Sequence, residues 1–364
     1  MEQHSHGADV PLQIRSERLR SASPADYAPI TIRDEQWRYL PVERLGGLDA
    51  GVSKFTGAVS GVEMASATAV GTVALPEDLI AANVWSLGDA KEIVVKDGEY
   101  RNIEIKSIDK KQGLQFFITN EKFSKATIVL NHTGSGSLAE VVEIQVADES
   151  ELTVISIQDF ENDSVLTSSQ FAQIGRNGRL KHIVVSIGGK TIRVVPSVTF
   201  AGEGASVEML GAYFANGDQH IEHRPFVDHN VANCESNVAY KGALQGAKAH
   251  TVWVGDVLIR QAAEGTKTYE LNRNLLLTDG ARADSVPNLE IETGQIEGAG
   301  HASASGRFDD EQLFYLQARG IPELEAKRLV VKGFLNDVIS QIGNEELETH
   351  LNGKIAQNLE GAVN

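Results

Sequence analysis

Apolar residues recur at every second position from about Glu92 to Glu292, in segments such as Glu92-Ile93-Val94-Val95, Asn102-Ile103-Glu104-Ile105, Thr127-Ile128-Val129-Leu130 and Glu143-Ile144-Gln145-Val146. This period predicts short strands parted by small or polar turns, with no helical repeat of useful length between them. Turn-then-apolar units also recur: Gly136-Ser137-Leu138, Ser150-Glu151-Leu152, Gly178-Arg179-Leu180 and Ala205-Ser206-Val207. Their leading apolar residues stand at 138, 152, 180 and 207, intervals of 14, 28 and 27. A unit near fourteen and its double suggests stacked coils. Many short strands without crossover helices argue against a doubly wound sheet and leave a sandwich, a barrel or a parallel β-helix.

The flanks read differently. Residues 1 to about 30 carry no sustained period and predict a mobile arm with a short helix through Leu12 to Leu19. From Asp34 to about Leu87 the chain is mixed, and Pro76-Glu77-Asp78-Leu79-Ile80 opens a short helix. Past His301 the period becomes helical. One helix is expected over about Asp310 to Ala318, capped by Asp309 or Asp310 and stopped by Gly320. A second runs from Pro322 to Ile342 with Val331, Leu335, Val338 and Ile342 on one stripe; a third spaces Leu347, Leu351, Ile355 and Leu359 four apart. The stripe is expected to pack on the neighbouring helix or to serve in part as a docking groove for a partner. The expected division is 1–88, an N-terminal arm and mixed region; 89–300, a strand-built core; and 301–364, a small helical domain.

Composition narrows the chemistry. The 364 residues can bury a large core, and their net charge of −17 would repel a polyphosphate backbone, so nucleic acid is not an expected partner. No apolar run reaches membrane-crossing length, and the polar start Met1-Glu2-Gln3-His4-Ser5-His6 lacks the basic and hydrophobic regions of a secretory signal, so a cytoplasmic location is expected. The single cysteine, Cys234, excludes a disulfide framework and any cysteine-rich metal or cluster site built within this chain. It reads as an inert core thiol.

Two glycine-rich segments imitate nucleotide sites and fail on context. Gly188-Gly189-Lys190-Thr191 ends like a phosphate-binding loop, but Val184 stands where the first glycine is required. Gly134-Ser135-Gly136-Ser137-Leu138-Ala139 meets the loose dinucleotide spacing, yet Val142, Ile144 and Val146 continue as a strand rather than a helix. His220, His223 and His229, interleaved with Glu222 and Asp228, have the composition of a metal cluster. On a strand, residues three apart face opposite sides, so a hydrogen-bonded polar ladder near a subunit contact is expected instead. His301 sits among small residues, Gly300-His301-Ala302-Ser303-Ala304-Ser305-Gly306, where a partner or ligand can approach closely.

Four separated motifs, Asn272-Arg273-Asn274-Leu275-Leu276-Leu277, Pro287-Asn288-Leu289-Glu290-Ile291, His301 and the run from Gly306 to Ile321, resemble the SufB/SufD family of iron–sulfur cluster assembly proteins. The likeness extends upstream to Asp218-Gln219-His220-Ile221-Glu222-His223 and Val227-Asp228-His229, and more weakly to Glu35-Gln36-Trp37-Arg38-Tyr39. The resemblance selects a mainly β fold, a right-handed parallel β-helix flanked by the mixed N-terminal region and the α-helical C-terminal domain. It implies a non-enzymatic scaffold subunit, more SufD-like than SufB-like because the histidine is present and cysteines are scarce, working with a SufB-type subunit and a SufC-type ATPase. His301 would share a nascent iron or cluster site with the SufB-type partner, although Ala299 stands where many SufD sequences carry a cysteine. Arg319, Gly320, Ile321 and Pro322 would dock the ATPase. The resemblance implies no cofactor held stably by this chain alone and a transient iron or iron–sulfur cluster in the complex; it leaves room for a flavin there and for a homodimer when the chain is isolated. A homo-oligomeric β-helix adhesin or carbohydrate-active enzyme is the alternative.

Overall fold

A computed structural model describes residues 15–62, 65–67, 69–308 and 310–360. Its centre is a β-solenoid of about eight coils, each contributing one strand to each of two sheets. The first sheet stacks Lys91–Val95, Gln112–Asn120, Ser137–Val146, Val165–Ile174, Thr191–Phe200, the interrupted pair His220–His223 and Phe226–His229, His250–Ile259 and Arg282–Ile291. The second stacks Tyr100–Ser107, Lys125–Gly134, Glu151–Gln158, Arg179–Ser186, Ser206–Asn216, Glu235–Gln245, Lys267–Leu276 and Gly298–Arg307. Pairing between successive coils is parallel throughout.

Register explains the spacing seen along the chain. Leu152 pairs with Leu180 and Leu180 with Val207, so 28 and 27 residues are whole coils. Leu138 pairs with Leu166 in the opposite sheet, so the interval of fourteen between 138 and 152 is half a coil, one strand and its turn. Both glycine-rich imitations fall at such turns, Gly134–Ser137 before Ser137–Val146 and Gly188–Lys190 before Thr191–Phe200.

Inward side chains of both sheets form one core that includes Phe116, Leu138, Leu166, Ile192, Met209, Tyr240 and Trp253. The outer face of the first sheet is covered by the N-terminal region, where Trp37, Leu40, Leu45 and Leu48 and the helix α1, Leu79–Trp85, pack on Ala139, Val141 and Phe171. Asp78 caps α1 by accepting from the Ala81 amide at 2.9 Å. The N-terminal segment is not a free arm from Arg15 onward. The Arg15 side chain, 4% exposed, donates to Ser197 Oγ at 2.7 Å and to the Arg224 carbonyl at 2.9 Å, so a buried guanidinium ties it to the solenoid. Arg15–Glu17 forms one 3₁₀ turn, and the first residues of the expected Leu12–Leu19 helix lie outside the described residues.

Three further helices follow the solenoid: α2, Asp310–Ala318; α3, Glu323–Ile339; and α4, Glu345–Glu360. Asp309, one of the two candidate caps of α2, lies outside the described residues. The apolar stripe is occupied. Val331, Leu335, Val338 and Ile342, with Leu351, Ile355 and Leu359 of α4, pack on Ile155, Ile157, Ile183, Val185 and Leu210 of the second sheet's outer face. It is therefore no open docking groove, because that sheet face is itself apolar and needs covering. Leu335 is completely buried there. Replacing it with alanine is expected to lower unfolding stability by about 2–5 kcal/mol, measured by urea denaturation.

Candidate functional site

The last coil ends the solenoid. Gly298–Arg307 pairs on one side with Lys267–Leu276 and stands at the end of its sheet, and Arg282–Ile291 does the same beyond His250–Ile259. Each leaves one edge of backbone N–H and C=O groups without a strand partner. Strand geometry carries to Arg307, so the 300/301 division falls inside a strand and His301 belongs to the terminal coil. Strand alternation puts Ala299, His301, Ser303 and Ser305 on the inward side: Ala299 packs on the core, and Ser305 Oγ accepts from Asn274 Nδ2 at 3.3 Å. His301 is exposed because no further coil lies over it.

Directly beneath His301 in register is Glu270. It is 1% exposed, and neither of its carboxylate oxygens has a hydrogen-bond partner. The other buried carboxylates and several interior polar side chains are matched. Glu140 takes His132 Nε2 at 2.8 Å and Ser168 Oγ at 2.6 Å, and Gln170 joins Ser168 to His182. Tyr213 donates to Asn274 Oδ1 at 2.7 Å and accepts from Asn272 Nδ2 at 2.8 Å. Burial, reinforced by the negative charge of Asp256, pushes the Glu270 carboxyl up to about 8.

The three other histidines do not converge. His220 faces outward under the N-terminal region: its Nδ1 lies 3.2 Å from His250 Nδ1 and its Nε2 3.4 Å from Glu222, while His250 Nε2 lies 2.7 Å from Asp284. Glu222 is ion-paired with Arg193 and, at 3.0 Å, with Arg224; against the upward push of burial, these guanidiniums and His220 bring its carboxyl down to about 2. His223 and His229 point inward, to Ser186 Oγ at 2.9 Å and Ser236 Oγ at 2.8 Å, and burial lowers their imidazoles to about 3 and about 4. His220 therefore lies on the opposite face of the sheet from His223 and His229, with separate hydrogen-bond partners. Cys234 is buried in the core, which pushes its thiol up and away from the reactive thiolate. Among the described residues no group of three or more His, Cys, Asp or Glu side chains could hold a metal ion.

The corner Arg319-Gly320-Ile321-Pro322 joins α2 to α3. Gly320 takes φ +86°, a left-handed conformation that ends α2, and Pro322 sits at the N-cap of α3. Beside it the rings of Phe314 and Tyr315 are 72% and 55% exposed, and the Arg319 guanidinium lies 4.6 Å from the Tyr315 ring centre. None of the described helices is long and apolar enough to cross a membrane.

The family model "SUF system FeS cluster assembly, SufBD core domain" matches residues 104–334, most of the solenoid together with α2 and much of α3. The chain belongs to the SufBD family. An iron–sulfur cluster assembly SufBD family protein of Mycobacterium bovis is 45% identical over 352 residues, covering 90% of this chain and 89% of its own length; one from Mycobacterium leprae is 44% identical with 90% of each covered. A further SufBD family protein of Mycobacterium tuberculosis is 30% identical over 223 residues, 61% of this chain and 26% of its own length. Membership makes this a protein of iron–sulfur cluster assembly, a family whose members are generally non-catalytic scaffold components.

Sequence reasoning fixed on His301 and passed over Glu270. The signal was a charged residue at inward parity, since Glu270, Asn272 and Asn274 alternate with outward positions, but parity needs the register of neighbouring coils. In the metal-free chain the unfolded Glu270 carboxyl titrates in the ordinary range near 4.5 while the folded one holds its proton to about 8. Wild-type stability should therefore fall, relative to Glu270→Gln, as pH rises across that interval. Melting temperatures of the two proteins from pH 5 to pH 8.5 test this; parallel curves would refute it.

Proposed function

We propose that this chain is the SufD-type subunit of a SufBCD assembly. It pairs with a SufB-type subunit through the edge strands of its terminal coil, offers His301 to a nascent iron–sulfur cluster, and docks a SufC-type ATPase through its C-terminal helices. The cluster is cargo, and no catalytic step is assigned to this chain. The observation that carries the reading is the unpaired terminal strand Gly298–Arg307 with an exposed, inward-side imidazole in its middle. A strand edge rich in glycine, alanine and serine lets a second backbone approach and continue the sheet. The thiolates a cluster needs cannot come from buried Cys234, so they come from the partner, and imidazole complements thiolate as an iron ligand.

The exposed Phe314 and Tyr315 beside the 319–322 corner support ATPase docking, because helix-borne aromatic side chains flanking a rigid corner suit a partner pocket. Nucleotide-driven closure of two ATPases would then pull on α2 and α3 and strain the paired terminal coils. The polar ladder around His220 reaches the edge strand Arg282–Ile291 through His250 and Asp284, so it borders the edge assigned here to the subunit contact.

Anaerobic reconstitution with SufB-type and SufC-type partners tests the first part. His301→Ala is expected to leave the complex intact on gel filtration and to lower bound iron and sulfide several-fold; wild-type cluster content in the variant would sink the assignment. Ile321→Asp tests the second: it is expected to abolish co-purification of the ATPase while retaining the SufB-type subunit.

A further inference from the structure

Among the described residues Glu270 is the only buried carboxylate with no partner on either oxygen, and it lies where the solenoid opens. Three more polar atoms of the last two coils are also unpartnered, Thr251 Oγ1, Trp253 Nε1 and Ser285 Oγ on the opposite sheet. Space is kept for the carboxylate. Across from it is Gly255, where a β-carbon would stand 3.1 Å from Glu270 Oε2 and 2.3 Å from the Trp253 ring, so a side chain there would displace both. The charged group that acts on Glu270 is Asp256, of the same sign and itself 3.9 Å from the Arg15 guanidinium, and no arginine or lysine is paired with Glu270. A buried carboxyl group with no hydrogen-bond or cationic partner can be compensated by a bound cation.

The geometry points to Glu270 and His301 as a two-residue half-site for a divalent first-row cation, ferrous iron in this setting, with Glu270 the inner oxygen ligand and His301 the outer nitrogen ligand. This rests on the proposed role of His301 and adds to it a second ligand from the same chain. The two residues are paired in register on adjacent parallel strands, which lie about 4.8 Å apart, and both belong to the inward side, so their side chains can close on one ion. Carboxylate with imidazole is a ligand pair that suits ferrous iron. Two protein ligands leave the remaining positions to water and then to thiolates of the partner, so the ion would be received here before sulfur arrives. The absence of any third convergent ligand among the described residues makes it half of a site.

The test is an anaerobic titration of the full chain with Co²⁺, followed by its visible absorption bands, with Fe²⁺ as competitor. Wild type is expected to take up about one equivalent, displaced by Fe²⁺, and Glu270→Gln and His301→Ala each to weaken binding at least about tenfold. Glu270→Gln keeps the side-chain shape, and its melting temperature reports that it is folded; Glu270→Asp, which keeps the charge on a shorter arm, should fall between. Wild-type affinity in Glu270→Gln overturns the inference; if His301→Ala is weakened in the same series, the His301 reading stands without it. Unchanged binding in His301→Ala alone overturns the pairing and counts against the His301 reading as well. No uptake of Co²⁺ by wild type at millimolar concentration overturns the half-site.

Discussion

A parallel solenoid satisfies the backbone of each coil only through the coils before and after it, and the last coil has no successor. From this one constraint the rest follows. Stacking Leu152 on Leu180 on Val207 fixes the register of the second sheet, and register fixes which side chains face inward. The same hydrogen bonding that holds the interior coils rigidly leaves Gly298–Arg307 with an open edge. An edge of that length is a hazard unless something covers it, which is the physical ground for proposing subunit pairing at the end of the fold.

The two broad outer faces are handled differently. Both are apolar, and both are covered by the chain itself, one by the N-terminal region around Trp37 and the other by α3 and α4. The terminal edge is not covered among the described residues, and its side chains are small. Inside, the polar groups are joined into hydrogen-bonded runs, such as His132 to Glu140 to Ser168 to Gln170 to His182, which lets a narrow core tolerate them. Glu270 breaks that rule at the open end. An interior that otherwise satisfies its carboxylates and leaves one bare beside an exposed imidazole has the form of a site rather than a packing accident.

Much of the fold was legible along the chain. The period of two from Glu92 to Glu292 gave the strands, and the change of period after His301 gave helices that the structure places at Asp310–Ala318, Glu323–Ile339 and Glu345–Glu360. The failures of the two glycine-rich motifs were legible too, because one lacks its first glycine at Val184 and the other needs a helix that the alternation rules out. Less could be seen of the candidate site. His301 stood out by its small neighbours, while Glu270, thirty-one residues upstream, becomes its neighbour only through the pairing of two coils.

The sequence by itself determined the element types, the apolar stripe of α3 and the lack of thiolates, since these depend on local period and composition. The choice of a solenoid over a sandwich or barrel came from motif resemblance, and parallel pairing then made it physical. Only the tertiary structure decided that the stripe is spent on the second sheet, that Arg15 is anchored, that His220 and His223 part company, and that a partnerless carboxylate lies under His301. Each of these is a contact between residues distant along the chain, and such contacts are set by coil register, which no local pattern encodes.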